Sequence, residues 1–235
     1  MKYVTKGAPP AIFEEWKAKA NADWIPTYTG LQRPEKPALH AALLLEQGSV
    51  CCYCGRAVSI LDSHIEHFRP QTEYKGLDLS YQNLFASCIR ETEPGMPLHC
   101  GHVKGDRFDE ELHISPLDRG CEGRFLYTLL GVVAPTDLAD ERAVYMVDLL
   151  QLDIPFLRNR REEALRRTFD ADFLSSATDD ELQRLQDAFQ RHDDAQSSEN
   201  FGHVLARFAG QRLDDRVEGA GEQVVPSTEN GEDAK

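Results

Sequence analysis

Five of the six cysteines lie between positions 51 and 100, and Cys51 and Cys54 are separated by two residues and followed by Gly55. That spacing is a zinc-knuckle half-site. A tight turn aims backbone amides at two thiolates, and a glycine relieves strain at its end. A tetrahedral ion needs four ligands, so a second pair must come from further along the chain. Cys88 and Cys100 are the candidates, and the alternative is that they are plain buried thiols. Zinc is favoured, because a half-knuckle is hard to close without a second pair. Cys52 has the wrong spacing to replace Cys51, and Cys121 is isolated and reads as structural.

The length of 235 residues allows one large domain or two small ones. No basic-then-apolar signal segment opens the sequence, and the longest apolar runs, Leu43-Leu44-Leu45 and 126–134, are too short to span a bilayer. The expectation is a cytoplasmic protein without membrane contact, in a compartment where thiols stay reduced and bind metals. The net charge of −14 argues against gripping nucleic acid by bulk electrostatics. Basic groups would have to act locally, or a partner would have to hold the nucleic acid.

Four regions are expected: an N-terminal helical frame (1–49), a metal-bearing core (50–110), a mostly helical C-terminal region (111–212) and an acidic, disordered tail (213–235). Ile12, Phe13, Trp16 and Ala20 recur at helical spacing after Pro9-Pro10, and a loop follows whose Trp24, Ile25 and Tyr28 can pack onto the core. A second helix starts near Pro37, carries Leu39, Leu43 and Leu44, and stops at Gln47-Gly48, delivering the chain into the knuckle. Residues 124–135 read as two short strands about Gly131. Helices then start at Asp140, at Asp153-Ile154-Pro155, at Asp179 and near Phe201.

Inside the core, Ser63-His64-Ile65-Glu66-His67-Phe68-Arg69-Pro70 reads as a strand end closed by proline. Glu66 offers a hard oxygen to a divalent cation, and His67 has the near-neutral basicity that suits deprotonating water. His64 shares a strand face with Glu66 and is given a supporting role. Asn83, placed in a short strand, can bridge loop backbone and hold the histidine loop; alone it would be an ordinary turn residue. His99, Cys100 and His102 begin a helix on which Lys104 and Arg107 can meet phosphates, or stay as solvated charges.

These residues resemble the HNH, or ββα-metal, nucleases: a thiol pair, an acid–histidine pair before a proline, an asparagine, a second thiol pair and a basic residue. The closer resemblance is to the PtuB-like HNH endonucleases of Septu and retron anti-phage systems. It is carried by Glu66-His67-Phe68-Arg69-Pro70, by Asn83-Leu84-Phe85-Ala86-Ser87-Cys88 and by Lys104-Gly105. Leu45-Glu46-Gln47-Gly48 and Val147-Asp148-Leu149-Leu150-Gln151-Leu152 add weaker support. The resemblance implies an α+β fold with a ββα-metal core and zinc knuckle, framed by N- and C-terminal helices. It implies His67 as general base, Asn83 as the orienting asparagine, and structural zinc at Cys51, Cys54, Cys88 and Cys100. It places a catalytic Mg²⁺ or Mn²⁺ at Glu66, with Arg69, Lys104 and Arg107 along the nucleic-acid backbone. It also implies a PtuA-like ABC-type ATPase as partner and, in some systems, a retron reverse transcriptase with its RNA–DNA.

Two features depart from that pattern. Residues 89–99 separate Cys88 from Cys100 where two residues are usual, and Gly101 stands where histidine or asparagine commonly completes the catalytic metal site. His102, one place later, is the substitute ligand. The expected activity is metal-dependent hydrolysis of DNA, ahead of RNA. The alternatives are an adaptor module for the ATPase that has lost its catalytic ion, and a zinc-knuckle transcription factor. The acidic charge and the lack of a basic recognition helix oppose the last of these.

Overall fold

The computed structural model of the chain describes residues 1–190 and 199–222. It is a mixed α+β fold of helices and two small antiparallel sheets. In the first sheet, β1 (Ser63–His67) pairs with β2 (Leu84–Cys88), with His67 opposite Leu84 and Ser63 opposite Cys88. In the second, β3 (Phe125–Tyr127) pairs with β4 (Val133–Pro135).

Helix α1 (Ala11–Lys17) buries Phe13 and Trp16, and α2 (Glu35–Glu46) buries Leu39, His40, Leu43 and Leu44 at helical spacing. Helix α2 ends as its sequence demands, with Gly48 and Ser49 both at positive φ and Ser49 N bonded back to Leu44 O. The next contact decides where the core sits. The fully buried Gln47 amide donates to Val50 O and Ala86 O and accepts from Ala86 N. One side chain thus welds the helix end to the middle of β2. Of the three loop residues, Tyr28 packs on His67 and Trp24 on Trp16, whereas Ile25 is 76% exposed.

After β2 comes a four-residue helix, α3 (Gly101–Lys104), and then the second sheet. Asp140 caps α4 (Glu141–Leu149) by accepting from Ala143 N, and Pro155 opens α5 (Pro155–Thr168). Helix α6 (Ala171–Ser176), capped by Asp170, has no counterpart in the sequence reading because its apolar run is too short to show a period. Helix α7 (Asp179–Gln190) is capped one residue earlier than expected. Thr178 and Glu181 exchange bonds there as a capping box. Helix α8 (Gly202–Glu222) continues past position 213, where the acidic tail was expected to begin, and the rest of that tail (223–235) lies outside the described residues. The entry to α8 returns to the knuckle: Phe201 N donates to Gly55 O, and Asn200 accepts from Ala57 N.

His40 of α2 faces β1. Its Nε2 donates to Ser63 Oγ at 2.9 Å, because that hydroxyl already donates to Ser59 O. Burial pushes the His40 pKa down from 6.5 to about 4. The unfolded chain therefore takes up this proton first. The stability linked to His40 is complete above about pH 6.5 and is lost as pH falls toward 4. His40→Gln is expected to make acid destabilisation shallower across that window in thermal denaturation. An unchanged slope would mean that the ring is charged in the folded protein.

Candidate functional site

Four sulfurs converge at the heart of the fold. Cys51 and Cys54 sit on a turn closed by Gly55 N donating to Cys51 O, with Gly55 at φ 76°. Cys88 is the last residue of β2, and Cys100 precedes α3 at φ 57°. All four are buried, and their Sγ atoms lie within 4.8 Å of one another. Thiolates about 2.3 Å from a tetrahedral ion stand about 3.8 Å apart. Cys54 and Cys88 are separated by 3.8 Å. The cluster can therefore hold a metal ion, and among the described residues it is the one group of three or more His, Cys, Asp or Glu side chains that can. Burial works against ionising Cys51, but hydrogen bonds from the other thiols hold its pKa well below the ordinary value, while burial drives Cys100 up. Cys52 takes no part, and burial pushes the distant Cys121 thiol up to about 12. The segment between Cys88 and His99 loops outward and exposes Met96 and Leu98.

Beside the sulfurs lies a buried carboxylate. Strand alternation puts His64 and Glu66 on one face of β1 and Ser63, Ile65 and His67 on the other. Glu66 Oε1 accepts from Tyr53 Oη at 3.1 Å and pairs with Lys104 Nζ at 3.0 Å, and Oε2 lies 3.4 Å from His64 Nε2. Burial tends to raise the Glu66 pKa, but His64 and the Lys104 ammonium outweigh it and hold the carboxylate ionised. Burial likewise tends to lower His64, and Glu66 outweighs it.

Lys104, expected to meet phosphate, is 1% exposed and donates to His67 O and Gly105 O as well as to Glu66. A buried ammonium with its donors engaged cannot also reach a phosphate. His102, expected to share an ion with Glu66, turns Nε2 to Ile89 O at 2.6 Å. His64 is the histidine that stands against Glu66.

On the other face, His67 is buried under the edge of Tyr28, ring centroids 4.4 Å apart. Its Nε2 lies 2.9 Å from Asp78 O. A carbonyl only accepts, so Nε2 carries the hydrogen, and Nδ1 keeps a lone pair that accepts from the Gln71 amide at 3.2 Å. Burial holds the ring's pKa below the ordinary histidine value.

Asn83 lies in a 3₁₀ turn (Tyr81–Asn83) ahead of β2, rather than in a strand. Its amide accepts from Arg69 N and donates to Arg69 O and Leu77 O, stapling both ends of the loop that follows His67. Arg69 pairs with Glu110 at 2.6 Å and stacks on Tyr74 and Phe108. Arg107 is exposed but donates to the backbone carbonyls of Val103, Lys104 and Leu149.

A cleft of about 1290 Å³ opens beside His64, between the start of α2 and the loop after Cys88. Arg33, Lys36, Arg56 and Arg90 line it against Asp62, Glu91 and Glu93. On a chain of net charge −14 this cleft is close to charge-balanced. Residue patterns pointed to Glu66 and His67 but missed Tyr53, Gln71 and the cleft cations, which carry no motif and meet the site only through folding.

No family model matches the chain. Over 185 residues it is 24% identical to a Vibrio cholerae serotype O1 biovar El Tor protein named "Retron Vc95 putative HNH endonuclease". The alignment covers 76% of this chain and 82% of that protein. Among the described residues no helix is long and apolar enough to cross a membrane.

Replacing Cys54 or Cys88 by Ser is expected to remove the metal bound by the cluster and to lower the melting temperature sharply. Elemental analysis and thermal denaturation of the purified variants check this. A Cys52→Ser control should keep the metal.

Proposed function

We propose that the chain is a metal-dependent HNH endonuclease that hydrolyses DNA in anti-phage defence. The observation that carries the proposal is the paired strand and short helix braced by the four-cysteine cluster. That unit holds an ionised, buried Glu66 beside a neutral His67 whose tautomer is set. The retron relative supports the same activity. In this reading β1, β2 and α3 form the ββα unit, and the cysteine cluster holds structural Zn²⁺.

The donor set also fits a catalytic divalent ion. Glu66 Oε2 faces a space that a residue-101 side chain would fill, since a Cβ on Gly101 would come within 2.5 Å of it. A carboxylate oxygen with an imidazole alongside suits Mg²⁺ or Mn²⁺. Glu66 would hold such an ion, which would supply charge neutralisation at the scissile phosphate and the departing 3′ oxygen. The protein does the rest. His67 Nδ1, released by Gln71, takes a proton from the water that attacks phosphorus, and Asp78 O orients the ring through Nε2. Asn83 keeps the loop after His67 in place. Lys104 keeps Glu66 ionised. The cleft beside His64, whose lining includes neither Glu66 nor His67, would hold a flanking stretch of the nucleic-acid strand, with Arg33, Lys36 and Arg90 offering phosphate contacts.

The finer assignment is a PtuB-like cytoplasmic effector working beside an ABC-type ATPase, and beside a retron reverse transcriptase with its RNA–DNA where one is present. A partner that holds the DNA would offset the acidic charge. One observation favours a second reading, an adaptor without catalysis: the Lys104 ammonium already neutralises Glu66 from 3.0 Å.

Plasmid and single-strand cleavage with Mg²⁺ or Mn²⁺, with and without the ATPase, separates the two. The wild-type chain is expected to cut, and His67→Ala to lose at least about 100-fold in rate with folding and zinc content unchanged. Full cleavage by His67→Ala would remove that residue as base. No cleavage in any condition, with zinc bound, would leave the adaptor.

A further inference from the structure

Ser63, His64 and Ile65 are consecutive residues of β1 whose side chains alternate between its two faces, yet all three line the same cleft. A strand presents both faces to one space only along an edge. β1 pairs with β2 in a two-stranded sheet, so among the described residues its other edge is unpaired, and the cleft follows that edge. The next residues along it are Glu66 and His67, and neither lines the cleft. Tyr28 stands at that point. It lines the cleft, and its ring meets the His67 ring at right angles, centroids 4.4 Å apart. One aromatic ring thus separates the open cleft from a histidine that is 8% exposed.

Few contacts hold that ring. Tyr28 belongs to a 3₁₀ turn (Tyr28–Gly30) between α1 and α2, and its neighbours Thr27 and Thr29 are exposed. Its backbone N donates to Asp78 Oδ2 at 3.0 Å, and the Lys36 ammonium sits over the ring, 4.5 Å from its centroid. Burial and then the Glu66 carboxylate push the phenol pKa up to about 12, so the hydroxyl stays neutral. That hydroxyl has no hydrogen-bond partner among the described residues, so it does not tie the ring down. Asp78 serves both sides of the partition: its carboxylate holds the Tyr28 backbone, and its carbonyl orients His67 Nε2. Lys36 also lines the cleft. A phosphate bound there competes with the Tyr28 ring for one ammonium, and a charge-assisted bond to phosphate is stronger than a partly exposed cation–π contact.

We propose that Tyr28 is a specificity-determining gate, which keeps His67 closed off until a strand that fills the cleft draws Lys36 from the ring. This rests on the nuclease reading for what His67 does, but not for the closure itself. A phosphodiester too short to reach Lys36 leaves the latch in place and meets the closed form. A strand lying along the edge of β1 sets a phosphate on Lys36, and the ring can then move with its exposed turn. Binding of the flanking nucleotides is thereby used to open the site. Strand length, rather than base sequence, is what the gate selects.

The test uses the full, metal-loaded chain. Diethyl pyrocarbonate acylates an accessible imidazole nitrogen that carries a lone pair, and peptide mass mapping reads His67 separately from the other histidines. Wild type and Tyr28→Phe should react slowly at His67, and Tyr28→Ala about tenfold faster or more. Equal rates in wild type and Tyr28→Ala would overturn the closure. Cleavage with Mn²⁺ is then compared for a single-stranded oligonucleotide that spans the cleft and for bis(p-nitrophenyl) phosphate, which is too small to do so. Wild type should strongly favour the oligonucleotide, and Tyr28→Ala should raise the rate on the small diester about tenfold or more. An unchanged or lower rate on the small diester would make Tyr28 a substrate-holding residue and overturn the gate. Should Tyr28→Ala fail to fold, Lys36→Ala and Asp78→Ala decide, since they release the ring without removing it and Asp78→Ala keeps the carbonyl on His67. Each should speed His67 acylation, and no change in either would overturn the proposal. The acylation difference without His67-dependent cleavage by any chain would reject the nuclease reading and leave the closure standing. His67-dependent cleavage without the acylation difference would do the reverse.

Discussion

Four buried cysteines that meet at one point are the constraint on which the rest of this molecule depends. They come from a turn, a strand end and a helix start, with the longest gap between Cys54 and Cys88. Closing those loops on a metal would convert binding energy into folding energy, on the scale of about 10–16 kcal/mol for small structural zinc sites. A two-stranded sheet of five-residue strands is marginal by itself in water. Here the Gln47 amide on β2, Cys88 at the end of β2 and the entry of α8 on Gly55 hold it in register.

That rigidity permits the second feature, a carboxylate kept ionised out of water. Burying Glu66 is costly unless the charge is both paired and hydrogen-bonded. Lys104, Tyr53 and His64 meet that requirement from α3, the knuckle and β1. Each of these elements is positioned directly by a cysteine of the cluster or by the strand that carries one. The structural centre thus sets the electrostatics of its neighbour, and Lys104 belongs to that internal network rather than to a nucleic-acid surface.

The opposite face of β1 has its own logic. His67 has both nitrogens engaged, one by the Asp78 carbonyl and one by the Gln71 amide, so its basic atom is known. The Asn83 staple holds the loop that supplies Gln71 and ends near Asp78. A mixed-charge cleft lies along the His64 side. An acidic chain can in this way keep a local approach for a polyanion.

Much of the frame was legible in the residues. The pitch of Leu39, Leu43 and Leu44 and the Gln47-Gly48 stop placed α2, Asp140 and Pro155 placed two further helix starts, and the four cysteines expected to act together do converge on one cluster. Helix α6 escaped because a six-residue helix carries too little period to read. Asn83 was placed in a strand because a 3₁₀ turn leaves no pattern, and the tail was begun at 213 because charge density says nothing about a helix packed along α7. By itself the sequence determined which atoms could bind a metal and, through two-residue strand parity, that His64 and Glu66 share a face while His67 does not. Only the tertiary structure decided that Lys104 is buried, that His102 turns to the Ile89 carbonyl, and that the missing side chain at Gly101 leaves room for His64. Those outcomes depend on distances between segments far apart in the chain, and side-chain order along a sequence does not encode them.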